Sequence, residues 1–236
     1  MLNRDALCSG AYLRSFESLP TDLLWTQERI DRSLEETLAR RPSTGDVWVF
    51  GYGSLIWNPL AVVEERAAAT LDGWHRSFCM NLIAGRGTPE RPGRMLSLEP
   101  GGVTHGIALK LPAMTMKEEL RILWTREMVT GAYRPIWARV EVVDGRAVDA
   151  IAFVSEPAHV HHRTDSRPTC IAPAIAGASG MLGSNAEYVF RLQASLAAHG
   201  LHDAYVDEIA NCLRKLAPMP EPVDPDIGAR ASSTHP

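Results

Sequence analysis

The chain has 236 residues, of which 45% are hydrophobic and 22% are charged, and its formal net charge is -4 at pH 7. This composition is typical of a globular protein, and the net negative charge gives no reason to expect nucleic acid or an anionic membrane as a partner. No run of 18 apolar residues occurs, so we expect no transmembrane helix, and the N-terminus lacks the continuous apolar core of a secretory signal. We therefore expect a cytoplasmic protein.

The cysteines are widely spaced and form no C-x-x-C pair. They are Cys8, Cys79, Cys170 and Cys212. Such spacing argues against a zinc knuckle and against a disulfide framework, and it suits a reducing compartment.

Residues 1–45 are predicted to form a helical lead-in to the rest of the chain. Ile30, Leu34 and Leu38 repeat every four residues, as on one face of a helix, and Pro42 ends the run.

The middle of the chain, about residues 46–155, is predicted to be rich in strands. Asp144-Gly145 between two apolar runs is a two-residue hairpin signal. One helix interrupts this region, with a predicted capping box of Thr115 and Glu118 at its start and Gly131 near its end. The predicted strands are DVWVF, WHRSFCMNL, MLSLEP, THGIALKL, IWARVEVV and AVDAIAFV.

Beyond about residue 165 the pattern becomes helical, with Ser184 and Glu187 as a second predicted capping box. Residues 217–236 are rich in proline and are predicted to be a disordered tail. Residues 46–216 therefore form one predicted α+β domain. Strands and helices do not alternate regularly in it, which disfavours a doubly wound parallel sheet.

Glu127 is in an unusual position on the predicted helix. On a helical wheel it falls in the middle of the apolar face, whereas Glu119, Thr125 and Arg126 fall on the flanks or the outer side. A carboxyl group among apolar side chains has a raised pKa, which suits a proton carrier near neutral pH. A purely structural ion pair with an arginine from another element would also explain it. The wheel alone leaves both interpretations open. The apolar face contains Met116, Leu120, Leu123, Trp124 and Met128.

A glycine-rich segment follows the first predicted strand. Gly51-Tyr52-Gly53-Ser54 could form a tight turn or could present bare amide groups to an anion. The segment lacks the third glycine of a dinucleotide fingerprint and the G-K-[ST] of a phosphate-binding loop. From the local pattern alone, an ordinary turn is the better interpretation.

Five segments of the sequence are informative together, and they are FGYGSLIWNP, GWHRSFC, AGRGTPERPGRMLSLEPGG, LWTREMVTGAY and GSNAEYVF. In matching order and spacing, they closely resemble the ChaC family of glutathione-specific γ-glutamylcyclotransferases. The resemblance extends from about residue 20 to residue 216. It implies a γ-glutamylcyclotransferase-like fold, in which a compact mixed β-barrel is flanked by helices. It also implies cleavage of glutathione to 5-oxoproline and cysteinylglycine, a carbon–nitrogen lyase reaction that uses no cofactor and no metal.

The resemblance also implies site residues. The family's catalytic glutamate corresponds to Glu127, and its Y-G-S-L loop corresponds to Tyr52, Gly53, Ser54 and Leu55 and holds the γ-glutamyl group. We expect the preceding Phe50 and Gly51 to belong to the same substrate-binding segment. Tyr133, after the helix, matches a further family position, although a tyrosine there is also a common packing residue.

The expected reaction needs little machinery. The substrate's own α-amine attacks its γ-carbonyl, so the protein has to hold a curled conformer and move one proton. Glu127 is the expected base, and it can then protonate the departing cysteinyl amine. Amides around Gly53–Leu55 are candidate donors to the oxyanion or to the substrate α-carboxylate, and the sequence does not decide between these two.

Several other residues have weaker cases. Arg76 is either an inward cation for a substrate carboxylate or a solvated arginine, and we include it among the substrate-binding residues. Arg86, Arg91 and Arg94 form a basic loop that could meet anionic glutathione. For Tyr188 core packing is the better interpretation. Three histidines in a proline-flanked loop are predicted to be surface residues and not metal ligands. These are His159, His161 and His162.

Two alternatives remain beside the glutathione-cleaving enzyme. The same fold and mechanism could act on another γ-glutamyl peptide or amine, which loop residues 85–94 and 156–168 would determine. A non-catalytic binding or regulatory protein on the same fold is the second, since fold does not fix function. Retention of Glu127 argues against it. We expect a monomer by default and glutathione as the small-molecule partner, with no nucleic acid and no membrane.

Overall fold

The computed structural model describes residues 2–17 and 19–216, so the predicted disordered tail of residues 217–236 lies outside the described residues. The α-helices of this part are α1 (Arg4–Cys8), α2 (Ala11–Arg14), α3 (Gln27–Ala39), α4 (Met116–Glu127), α5 (Pro168–Gly177), α6 (Asn185–Ala198) and α7 (Ala204–Leu216). The strands are β1 (Trp48–Gly51), β2 (Glu65–Leu82), β3 (Gly93–Lys110), β4 (Tyr133–Val142), β5 (Ala147–Ser155), β6 (Ser179–Gly180) and β7 (Gly183–Ser184).

Strands β1 to β5 form a closed barrel in the order β1-β3-β2-β4-β5. Strand β1 pairs antiparallel with β3 and parallel with β5, so the barrel is mixed. The β4–β5 hairpin turns at Asp144-Gly145, where Gly145 has φ +88°. The predicted mixed barrel flanked by helices is confirmed, and so is the hairpin.

Strands β2 and β3 are longer than predicted. Each has 18 residues and is continuous through positions that the sequence pattern assigned to turns. At Gly73 (φ +79°) and Gly101 (φ +99°) both strands continue, and the register of their pairing shifts. These glycines therefore act as bulges, which re-aim a strand without breaking the ladder.

The helical predictions hold in outline but differ in their caps. Helix α3 begins after Thr26, whose hydroxyl accepts from the Arg29 N–H. The Ser184 hydroxyl likewise accepts from the Glu187 N–H at the start of α6, as predicted. Thr115 makes no side-chain cap bond to α4, so that predicted capping box is wrong.

The main core lies inside the barrel and under the helices that flank it. Its largest fully buried side chains include Phe50, Phe78, Trp124 and Phe153. Helix α3 contributes Ile30 and Leu34 to the same core, so the lead-in packs directly against the barrel. Among the described residues, no helix is both long and apolar enough to span a membrane.

The end of α4 is fixed by a close approach of two segments. Gly131 has φ +64°, and a Cβ added there would lie 2.2 Å from Nε1 of Trp25. The backbone N–H of Trp25 also donates to the backbone carbonyl of Val129 at 2.8 Å. The chain between residues 128 and 133 therefore turns sharply past the indole, and this turn places Glu127 at the start of a cavity.

Candidate active site

A cavity of about 470 Å³ lies beside the C-terminal end of α4. This volume lies in the range of pockets that hold small molecules. A second cavity of about 20 Å³, room for little more than one water, shares five lining residues with the first. We call these five the junction, and they are Ser54, Leu96, Glu127, Tyr133 and Tyr188.

Glu127 presents a nearly buried carboxyl group at the junction, with 14% of its side chain exposed. Its Oε1 atom is buried and accepts no hydrogen bond from the described residues. Nε of the adjacent Arg126 lies 2.9 Å from Oε1, at an angle unsuited to a hydrogen bond, so only the charges attract. Burial raises the pKa of Glu127, and Arg126 opposes that shift without cancelling it. A buried carboxyl without a donor is poised to take up a proton.

Arg126 connects α4 to the glycine-rich loop. Its Nη2 donates to Oγ of Ser54 at 2.5 Å, and its Nη1 donates to the carbonyl of Asn58. The prediction that Arg126 lies on the outer side of the helix is therefore wrong, because the loop after β1 folds over that side. A helical wheel cannot reveal this loop, since it describes one helix in isolation.

Glu119 is also buried, contrary to prediction, because α1 packs against α4. Nη1 and Nη2 of Arg4 donate to its two carboxylate oxygens at 2.6 and 2.7 Å. The Val62 N–H donates to the same carboxylate at 2.7 Å. This bidentate pair fixes the N-terminal segment onto α4.

The glycine-rich loop leaves β1 at Gly51 and enters a short 3-10 turn over Ser54–Ile56. The N–H groups at the start of such a turn have no acceptor within it. A Cβ added at Gly53 would lie 2.8 Å from the Tyr188 hydroxyl oxygen, so a close approach explains this glycine. The Tyr52 hydroxyl donates to the Phe153 carbonyl at 2.5 Å and joins the loop to β5.

Six of the predicted site residues line the smaller cavity together. They are Tyr52, Gly53, Ser54, Leu55, Glu127 and Tyr133. Phe50 and Gly51 are not among the described residues that line either cavity. Phe50 is fully buried in the barrel core, and Gly51 of β1 pairs with Ile107 of β3. The structure thus gives these two residues a packing role and no direct place at the cavity.

Arg76 is buried, as an inward cation should be, but it too is absent from the described residues that line the cavities. Its Nε and Nη2 donate to the carbonyls of Tyr52 and His105 at 2.8 and 2.6 Å, and its Nη1 donates to Asp203 at 2.7 Å. The guanidinium is occupied by the protein itself. Arg76 thus supports the loop backbone at Tyr52, and its direct contact with substrate stays a prediction.

Two tyrosines complete the junction. The Tyr133 hydroxyl donates to the Leu96 carbonyl at 2.8 Å. Tyr188 packs its ring 5.5 Å from that of Trp57, as a core residue would, but it also lines both cavities. Burial raises the pKa of Tyr188 to about 12, so its hydroxyl is a neutral donor at physiological pH.

Part of the cavity wall comes from the N-terminal segment, which sequence reasoning treated only as a lead-in. Leu2, Tyr12, Phe16 and Leu19 line the larger cavity. An aromatic pair at positions 12 and 16, four residues apart, was the available signal, because such a pair marks an apolar helical face. Without the fold, nothing shows that this face covers the site.

The histidine loop is less exposed than predicted. His159 and His161 line the larger cavity. His162 has an 11% exposed side chain and places Nε2 3.0 Å from Oε1 of Glu99, so the surface prediction is wrong for it. Cys79 Sγ lies close by, and the three potential ligand atoms are all within 4.8 Å of one another.

The fold and the cavity can be compared with known proteins. The crystal structure of a γ-glutamyl cyclotransferase specific to glutathione from yeast matches with a TM-score of 0.67 and 22% identity, covering 73% of this chain and 97% of that chain. This likeness defines the class as the γ-glutamylcyclotransferase fold. The family model described as ChaC-like protein matches residues 47–216. The chain belongs to the ChaC-like protein family.

Two relatives illustrate the similarity along the sequence. A glutathione-specific γ-glutamylcyclotransferase of Escherichia coli is 46% identical over 216 residues, which cover 92% of this chain and 94% of the relative. The γ-glutamylcyclotransferase 2-1 of Arabidopsis thaliana is 32% identical, over 75% of this chain and 86% of its own length.

Proposed function

We propose that this protein cleaves glutathione to 5-oxoproline and cysteinylglycine. The proposal is supported by the 46% identity to the Escherichia coli relative across nearly its whole length. The observation that carries it in this chain is the carboxyl group of Glu127. It lies at the junction of the two cavities with a raised pKa, and no described residue donates a hydrogen bond to its Oε1.

The proposed reaction is an intramolecular substitution. The γ-glutamyl α-amine forms a bond to the γ-carbonyl carbon, and Glu127 takes the proton that the amine loses. The carbon–nitrogen bond to cysteine then breaks, and the protonated Glu127 returns the proton to the departing amine. Atoms and charges balance without water, metal or a covalent intermediate. Holding the amine against the carbonyl supplies much of the acceleration, because both groups belong to one bound molecule.

The surrounding residues position this chemistry. The smaller cavity, about 20 Å³, is too small for a γ-glutamyl group, so the group occupies the part of the larger cavity beside the junction. There the turn at Ser54, which lines both cavities, and the neutral hydroxyl of Tyr188 supply donors for negative charge. Arg126 holds the Ser54 hydroxyl and thereby the distance between the loop and Glu127.

The proposed setting is the cytoplasm, with the protein acting as a monomer on a small-molecule substrate. Within the described part of the chain the cysteines are free, which fits a reducing compartment. They are Cys8, Cys79, Cys170 and Cys212.

The test is to incubate the purified protein with reduced glutathione and to quantify 5-oxoproline and cysteinylglycine. Glu127→Gln removes the base in a nearly isosteric way, so we expect it to lower kcat by at least about 100-fold. Glu118→Gln is the matched control, because Glu118 is on the same helix and is exposed to solvent. We expect that control to keep the wild-type rate.

Each other outcome has a definite meaning. If the wild type releases no 5-oxoproline from glutathione, the proposed substrate is wrong, and other γ-glutamyl compounds should be assayed in the same way. If none of them is cleaved, a binding role on the same fold replaces catalysis. A fully active Glu127→Gln variant would instead show that another group carries the proton.

A further inference from the structure

Arg94 is the most unusual charged residue of the larger cavity. It lies on β3 and lines the cavity, yet its guanidinium has no hydrogen bond or ion pair with any described residue. Its Nη1 atom is buried. An unpaired, partly buried arginine is costly unless an anion reaches it, because its five donors are left without acceptors.

The backbone of Arg94 is held in place although its side chain is unpaired. The Arg94 N–H donates to Oδ1 of Asn185 at 2.7 Å, and the Asn185 amide donates back to the Arg94 carbonyl at 3.0 Å. A Cβ added at Gly93 would lie 2.4 Å from Oδ1 of Asn185, so Gly93 permits this contact. The side chain therefore starts from a fixed position on the cavity wall.

Further polar groups adjoin Arg94 on the cavity wall. Asn81 is its cross-strand partner, and the Asn81 N–H donates to the His161 carbonyl at 2.8 Å. Both Asn81 and His161 line the cavity, and Nε2 of His161 is buried without a hydrogen-bond partner among the described residues. Burial lowers the pKa of Arg94, and Arg163 lowers it further. Burial also lowers the pKa of His161, followed by the effects of His159 and Arg163. Asp165, an acid close enough to affect Arg94, is engaged by Arg167. This region is thus rich in donors and poor in carboxylates.

The spacing between Arg94 and the junction matches the length of a dipeptide. Arg94 precedes Leu96, a junction residue, by two positions on β3, which is about 7 Å along an extended strand. In a γ-glutamyl tripeptide, the two residues beyond the scissile amide also span about 7 Å when they are extended. A tripeptide with its γ-carbonyl beside Glu127 is therefore long enough for its C-terminal carboxylate to reach as far as the position of Arg94 on β3.

We propose that Arg94, with Asn81 and His161 beside it, binds the glycine carboxylate of the substrate and selects γ-glutamyl tripeptides whose C-terminal carboxylate is free. This inference rests on the proposed function and adds to it the group that is recognised at the far end of the cavity. Arginine suits the task because its planar fork can donate two parallel hydrogen bonds to one carboxylate.

The test compares reduced glutathione with its glycine amide, in which the same peptide has lost the terminal charge. For the wild type we expect kcat/KM to be about 10- to 100-fold lower for the amide, mainly through KM, which is the usual range for a charged hydrogen bond. Arg94→Met should lower kcat/KM for glutathione by a similar factor and leave the amide unchanged. Arg94→Lys should restore part of the difference, and Arg91→Met, an exposed site just before β3, should behave as wild type.

The possible results are distinguishable. Equal turnover of both substrates by the wild type would overturn the proposal, and this comparison needs no variant to fold. An equal loss for both substrates in Arg94→Met would also overturn it and would assign Arg94 a structural role. If neither substrate releases 5-oxoproline with the wild type, the proposed function itself fails, and the carboxylate site fails with it.

Discussion

Glu127 occupies the last position of α4, where the side chain can leave the apolar face of the helix and enter a cavity. Its identity as an anomalous carboxylate could be predicted from the sequence, because helical periodicity is a local property. Its surroundings could not, since Ser54, Tyr133 and Tyr188 come from three other parts of the chain. The wheel therefore identified the residue and gave none of the geometry around it.

The raised pKa of Glu127 has a consequence for stability. The folded-state pKa lies above the unfolded value, so the folded protein binds the extra proton in the interval between them, and stability falls as pH rises through that interval. At a pH above this interval, the folded state carries a buried carboxylate, which lowers its stability. We therefore expect Glu127→Gln to be more stable than the wild type at neutral pH, with the difference disappearing below about pH 4.5.

Thermal unfolding of both proteins across this pH range would measure the effect. Glu118→Gln serves again as the control and should show no comparable pH-dependent gain, since Glu118 is exposed. A Glu127→Gln variant that is less stable than wild type at pH 7 would show that Arg126 stabilises the carboxylate more than burial penalises it.

At the level of elements, α1 and α4 are joined by the pair of Arg4 and Glu119. Side-chain exposure is 39% for Arg4 and 2% for Glu119, so removal of the arginine leaves a buried carboxylate with only one other donor among the described residues, the Val62 N–H. The sequence could not reveal this pair, because its members are 115 residues apart. The same separation explains why the cavity wall formed by the N-terminal segment was missed.

We expect Arg4→Met to lower the free energy of unfolding by about 1–3 kcal/mol, the usual cost of leaving a buried acceptor without its hydrogen-bond donor. Because the N-terminal segment also supplies Tyr12 and Phe16 to the cavity, KM should rise while kcat changes less. Urea unfolding and steady-state assays would measure the two effects. Arg121→Met breaks an exposed pair with Asp31 and should change stability by less than about 0.5 kcal/mol. If KM rises as much in Arg121→Met as in Arg4→Met, the rise does not depend on the pair of Arg4 with Glu119.

At the level of the whole molecule, the barrel class could be predicted from strand-rich segments and family resemblance, but the lengths of its strands could not. Gly73 and Gly101 resemble turn residues in the sequence and are bulges in the structure, because only tertiary pairing decides whether a strand continues past a glycine. Phe50 and Arg76 were assigned to the site because they belong to matched segments. In the structure Phe50 packs in the barrel core, and Arg76 donates hydrogen bonds to backbone carbonyls.

The proposed reaction needs no metal, so prolonged treatment with EDTA should leave the rate of glutathione cleavage unchanged. The measurement is the rate before and after removal of the chelator, with zinc added back to one sample. A loss of activity that zinc restores would contradict the expectation. The group formed by Cys79, Glu99 and His162 would then be the first place to look, since these residue types bind zinc.

The parallel pairing of β1 with β5 closes the barrel between segments that are far apart in the chain. The Tyr52–Phe153 hydrogen bond at this seam joins residues 101 positions apart. Because loop-closure entropy must be overcome before such a distant contact forms, the seam is expected to assemble late in folding. Helices and hairpins can then recover within a refolding reaction well before the glycine-rich loop reaches its place beside Glu127. Regain of catalytic turnover would therefore lag behind regain of secondary structure, which makes enzymatic activity a reporter of the final step of folding.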